Sequence, residues 1–138
     1  MKNITMVLLL LAAISGQAQG RFELTVLNVK DTTGFIRAAL FKDEKTFLTE
    51  PFIGKIVKAV KGEVTVVFEQ VPDGTYGVSV YHDENKSGEL DKNMIGIPKE
   101  GFAFGNDSMG MFGPPDFEEA SFVLKGEPKK MRVTMKYM

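Results

Sequence analysis

An apolar–polar alternation with a period of two, repeated in short runs, constrains this chain more than any other feature. Phe22, Leu24 and Val26 alternate with Glu23 and Thr25. Val64, Val66 and Phe68 alternate with Thr65, Val67 and Glu69. The same pattern places Tyr76, Val78 and Val80 on one parity, and later Met131, Val133, Met135 and Tyr137. Ile36, Ala38 and Leu40 share a parity, with Phe35, Arg37, Ala39 and Phe41 on the other; Phe122 and Leu124 make a shorter run, and residues 55–60 a weaker one. Successive side chains of a strand point to opposite faces, so each run reads as a half-buried strand. Turn-forming clusters separate them: Asp31-Thr32-Thr33-Gly34, Lys61-Gly62, Pro72-Asp73-Gly74 and Gly126-Glu127-Pro128. No stretch holds a helical period beyond two turns, and residues 43–52 read as one short helical turn over Phe47 and Phe52. The pattern predicts an all-β chain: a single antiparallel β-sandwich of about seven strands with one long ordered loop.

That loop covers residues 92–118. It holds five glycines, three prolines and four phenylalanines. Loops beyond about 12–15 residues are uncommon in compact domains and are usually functional or disordered. A disordered linker has no reason to be rich in phenylalanine, so the loop is expected to pack back on the strands. Phe102, Phe104, Met111 and Phe112 are its candidate binding residues, because methionine and aromatic side chains adapt to varied apolar partners.

The first 18 residues read as an address. Lys2 precedes an apolar run from Ile4 to Ile14, too short for a stable membrane anchor. Gly16-Gln17-Ala18 fits the small-x-small pattern before a cut. Cleavage is expected after Ala18, leaving a β-sandwich domain over residues 19–138 that is secreted or periplasmic, with no transmembrane segment. The formal charge of the whole chain is -1. Removing the address takes away Lys2 and no acid, leaving 16 basic residues against 18 acidic. A near-balance of this kind argues against nucleic acid as a partner. With no cysteine and one histidine, His82, the chain offers no disulfides, thiolate metal sites, thiol nucleophile or multi-histidine site.

The densest polar constellation follows the Tyr76–Val80 run. Asp83, Asn85 and Ser87 are spaced by two, Gly88 follows, and Asp91 lies eight past Asp83. Calcium takes six to eight oxygens, and a tight loop can turn alternate side chains to one centre. Asp83, Asn85, Ser87 and Asp91 would supply side chains and Glu89 its carbonyl. The twelfth position is Met94, where a bidentate glutamate belongs, so a calcium site here would be weak, on the order of 10⁻⁴–10⁻³ M. The alternative is an ion-free Asx-rich turn. His82 lies beside Asp83 and Glu84, but strand geometry sends His82 and Asp83 to opposite faces. His82 therefore reads as a rim histidine bonded to backbone of the long loop, and is the weak candidate for a catalytic group. No serine sits in a nucleophile elbow, and no glycine pattern cradles phosphate. Tyr76, after Pro72-Asp73-Gly74, reads as a corner tyrosine bonded to nearby backbone.

Several strings are specific: Val78-Ser79-Val80-Tyr81-His82-Asp83-Glu84-Asn85, Gly88-Glu89-Leu90-Asp91, Gly96-Ile97-Pro98-Lys99-Glu100-Gly101-Phe102, and Gly113-Pro114-Pro115-Asp116-Phe117 with Ala120. They resemble a group of bacterial secreted proteins catalogued as domain of unknown function 2141. The resemblance implies a transthyretin-like or immunoglobulin-like sandwich and no particular activity. The bend is also similar to calcium loops of Gram-positive surface-adhesin repeats, and departs from them at Met94. Likeness to transthyretin-type hydrolases stops at the fold, given a single histidine.

The expected function is a binding or structural module of the bacterial cell envelope, its partner an envelope protein, glycan or small ligand, its cofactor calcium or none. Bend and loop are expected to form one working rim. Two alternatives stand beside it: a small hydrolase using His82 with Asp83, Glu84 or Glu100, and a carrier of an apolar ligand lined by the phenylalanines of the loop.

Overall fold

The protein is represented by a computed structural model that describes residues 19–138; the expected signal segment and its cut lie outside the described residues. Eight strands follow one another: β1 (Gln19–Val29), β2 (Phe35–Phe41), β3 (Ile53–Lys58), β4 (Gly62–Pro72), β5 (Gly74–Asp83), β6 (Phe102–Phe104), β7 (Ser121–Leu124) and β8 (Lys129–Thr134). They form two sheets. One has the order β4-β1-β8; the other runs β3-β2-β5-β6, with β7 beside β6 on the same edge of β5. The fold is all-β, as the alternation requires. Among the described residues no helix is long and apolar enough to cross a membrane.

The predicted parities decide the core. Phe22, Leu24 and Val26 of β1, Val66 and Phe68 of β4, and Met131 and Val133 of β8 face Ile36, Ala38 and Leu40 of β2 and Tyr76, Val78 and Val80 of β5. Each of the larger of these side chains contributes about 1.5–3 kcal/mol on burial, so this face outweighs any surface ion pair. Tyr76 Oη donates to Pro72 O at 2.6 Å, the expected corner. The edge strand β8 turns Lys129, Lys130 and Arg132 to solvent, which blocks further strand pairing.

Two expectations are corrected. Pairing is not wholly antiparallel, because β1 and β8 run parallel with Leu24 opposite Met131. A parallel pair needs a long crossover, and here the whole second sheet lies between the two strands. The long loop is also not one loop. Phe102–Phe104 pairs with Ser79–Tyr81 as β6, dividing it into excursions over residues 84–101 and 105–120. Three residues are too few to show a period of two.

Registers place Asp83 opposite Phe35 and Lys58 opposite Phe35, and Val29 opposite Gly62. One pole therefore collects the β1–β2 turn, the β3–β4 turn and the 84–101 excursion. The 105–120 excursion leaves the sheet at mid-height, opposite Ser79, and returns near Gly77. Its Phe117 ring meets Phe47, edge to face, at 5.8 Å, toward the opposite pole. Bend and long loop thus share a rim only up to Gly101.

Candidate functional site

Strand β5 ends with His82 and Asp83, both fully buried, on opposite faces of the sheet. Asp83 lies outward and organises the bend. Its Oδ2 accepts from Arg37 Nε at 2.7 Å and from Gly88 N at 2.9 Å; its Oδ1 accepts from Ser87 N at 2.9 Å. Burial raises its pKa, but the N–H of Gly88, the Arg37 guanidinium and the N–H of Ser87 outweigh this and hold the carboxyl below the ordinary aspartate value. Gly88, at φ +83°, gives the bend a left-handed residue at the place the sequence assigned to a sharp turn.

The remaining candidate calcium ligands gather beside it. Ser87 Oγ lies 3.4 Å from Asp83 Oδ1, 3.0 Å from Glu89 O and 3.3 Å from Asp91 Oδ1. Asn85 Nδ2 donates to Asp91 Oδ2, and Asn85 Oδ1 accepts from Ser87 N at 3.1 Å. Met94 is fully exposed and turned away. The bend therefore brings the five predicted ligands together, yet protein donors already occupy both oxygens of Asp83, one of them the positive group that an ion would replace. Glu100 is the second anchor: its Oε2 accepts from Glu84 N at 2.6 Å and its Oε1 from Asp91 N at 3.1 Å.

Beyond Asp91 the chain makes a tight projecting turn. Lys92 bridges to Pro98, Asn93 N donates to Ile97 O at 2.8 Å, and Asn93 Oδ1 accepts from Ile95 N and Ile97 N at 3.0 Å each. The amide oxygen of Asn93 thus holds the turn from within, while Met94 and Ile95 stand in solvent, Ile95 at 81 % exposure.

On the inner face, His82 Nε2 lies 2.6 Å from Thr33 O. A carbonyl only accepts, so Nε2 carries the proton, and Nδ1 accepts from Tyr137 Oη at 2.9 Å. Tyr137 Oη in turn accepts from Lys30 N at 2.9 Å. The histidine is held to backbone, as expected, but to the β1–β2 turn and not to the long loop. Glu84 and Asp31 approach it from the pole, Asp31 Oδ1 at 3.8 Å from Nε2. The hydroxyl and N–H of Thr33 hold Asp31 below the ordinary carboxyl range.

The four residues of the expected binding loop divide. Phe102 and Phe104 are buried with Ala120 against Phe47, Tyr81 and Leu90 on the outer face of the second sheet. Met111 and Phe112 are exposed, Phe112 at 97 %. Among the described residues, two surface depressions are lined by none of the four. One, of about 300 Å³, lies among Arg37, Ala39, Lys55, Ile56 and Tyr81; the other, of about 400 Å³, lies among Glu44, Thr75, Phe117 and Ser121.

Arg37, Asp31, Thr33, Tyr137 and the anchoring role of Glu100 were not foreseen. A basic residue among apolar ones on the outward parity of β2 was the available signal for Arg37; the others depend on which turns meet at one pole. Residues 24–132 match the model of a family described as "Uncharacterized protein conserved in bacteria (DUF2141)". No curated protein and no solved structure matches the chain.

Proposed function

The chain belongs to the bacterial DUF2141 family, and we propose that it is an exported, non-catalytic binding module of the cell envelope: a transthyretin- or immunoglobulin-like sandwich that presents the 92–99 turn to an apolar cleft on a partner protein. The observation that carries this reading is the exposure of Met94 and Ile95 on a turn fixed by its own hydrogen bonds. Contiguous exposed apolar side chains mark interaction sites, and a pre-ordered tip loses little entropy on docking. Export is supported by the apolar run and small residues before Gln19. Hydrolysis gains no support, since Asp83 is taken by Arg37, Glu100 by backbone N–H groups, and His82 by two oxygens. The carrier reading gains no support from the two depressions, which Phe102 and Phe104 do not line.

A photo-reactive residue at position 95 should give a discrete cross-linked adduct in cells, absent from a probe at position 127 and lost with Met94→Ser. No adduct, or the same adduct at both positions, would overturn the reading. Protein recovered from the periplasm should begin at Gln19.

The convergence of Asp83, Asp91 and the Glu89 carbonyl on Ser87 Oγ favours a second reading, a calcium ion bracing the base of the tip. Calcium would have to displace Arg37 or share Asp83 with it. Millimolar calcium should then raise the melting midpoint, and Asp91→Asn should abolish the rise.

A further inference from the structure

Three side chains with metal-binding atoms meet at the pole without belonging to the bend. A ligand atom from each of Asp31, His82 and Glu84 lies within 4.8 Å of the other two. An ion held at about 2.1 Å by each ligand needs separations of roughly 3–4 Å, so the two carboxylates must rotate inward and the Thr33 carbonyl, 2.6 Å from His82 Nε2, must move off that nitrogen. We propose that Asp31, His82 and Glu84 form a site for a divalent transition-metal ion of the zinc class, entered from solvent past the two carboxylates.

The surroundings are those of a built site. His82 is fully buried, and its ring is oriented by Tyr137 Oη on Nδ1 at 2.9 Å, the kind of outer partner that metal-bound histidines keep. Asp31 is steadied by the N–H of Thr33 at 3.0 Å, and Glu84 by its own N–H on Glu100 at 2.6 Å. One imidazole with two carboxylates suits zinc better than calcium or magnesium, which prefer oxygen alone, or copper(I), which prefers sulfur. The two negative charges balance the ion.

Two competitors must yield. Lys30 Nζ lies 3.3 Å from Glu84 Oε1, but its side chain is mostly exposed and free to swing out. The Nε2 proton, now donated to Thr33 O, leaves as the metal takes that lone pair, and the Thr33 carbonyl swings aside with the exposed end of the β1–β2 turn. Nδ1 then carries the ring proton and donates it to Tyr137 Oη. The site does not depend on the tip finding a partner.

The test is a zinc titration of residues 19–138, followed by melting and by the ¹⁵N resonances of the His82 ring. At a hundredfold excess over the dissociation constant the midpoint should rise by roughly 8–15 °C, and the Nε2 resonance should move with it. Asp31→Asn and Glu84→Gln, both at partly exposed positions, should each fold and weaken binding at least tenfold. Lys30→Gln should tighten it several-fold, and Asp91→Asn, in the neighbouring bend, should leave it unchanged. A flat titration, a rise that survives the Asp31→Asn/Glu84→Gln double variant, or one that Asp91→Asn removes would each overturn the site.

Discussion

At the scale of single residues, the pole depends on how Asp83 is satisfied. A buried carboxylate is costly unless paired and bonded, and Arg37 with two backbone N–H groups meets that need. Arg37→Met would leave the charge without its counter-ion and should lower stability by about 3–5 kcal/mol, whereas Asp83→Asn should cost about 2–4. In the double variant the losses should fall well short of their sum, read from urea unfolding of the four proteins; simple additivity would show that the pair does not act as a unit. The acid side follows from the sign of the shift. Because folding lowers the Asp83 pKa, its contribution is present above the ordinary aspartate value, near 3.9, and is lost as pH falls through the lower folded value. Asp83→Asn should therefore flatten the fall in stability below about pH 4. The sequence made Asp83 conspicuous and its parity readable, but not its partner. Arg37 lies 46 positions earlier and meets Asp83 diagonally, since the register sets Arg37 opposite Tyr81.

Among the elements, strands with an alternating run were legible, down to the four residues of β7 with Phe122 and Leu124, and β6 was not. The alternation in β1, β2, β4, β5 and β8 is long enough to display a buried face, and those faces form the core. β6 is defined by its place beside Tyr81, not by its own three residues. The β1–β2 turn was read from Gly34, which has φ +66° and lies so close to β5 that an added Cβ would stand 2.0 Å from Asp83 O. Gly34→Ala should thus be strongly destabilising, through both the left-handed backbone and the clash. The 84–101 excursion is an element in its own right, closed by Glu100 across residues 84, 85 and 91. Glu100→Ala should speed amide exchange at Glu84, Asn85 and Asp91 while leaving the β1–β4 amides protected. Uniform loss of protection would instead mean that Glu100 stabilises the whole fold and not this excursion.

For the molecule as a whole, the two sheets are joined along one seam as well as through the core. Beyond β8, Lys136 exchanges backbone hydrogen bonds with Phe102 at 2.9 and 3.0 Å, linking the edge of the first sheet to β6 of the second. Lower on the same seam, Asp107 Oδ1 accepts from Thr134 N at 2.7 Å. Sequence alone could assign these residues to strand ends and a loop. It could not pair them, because a bridge of one residue has no pattern. Tyr137 fastens the top of the seam, reaching Lys30 N in the β1–β2 turn and His82 in β5. Burial raises its pKa while the N–H of Lys30 opposes the rise, so the hydroxyl stays protonated through the neutral range. Tyr137→Phe keeps the ring against Gly101 but leaves the Lys30 N–H and His82 Nδ1 without this partner, a cost of about 1–3 kcal/mol. If the seam is a closure distinct from the core, the amides of Phe102 and Lys136 should lose protection before those of Leu24 and Val66. Tyr76→Phe, at the opposite pole, should leave the seam amides as they are. Equal loss across seam and core would mean that the sheets open only together, and that Tyr137 holds both whole sheets and not their edge.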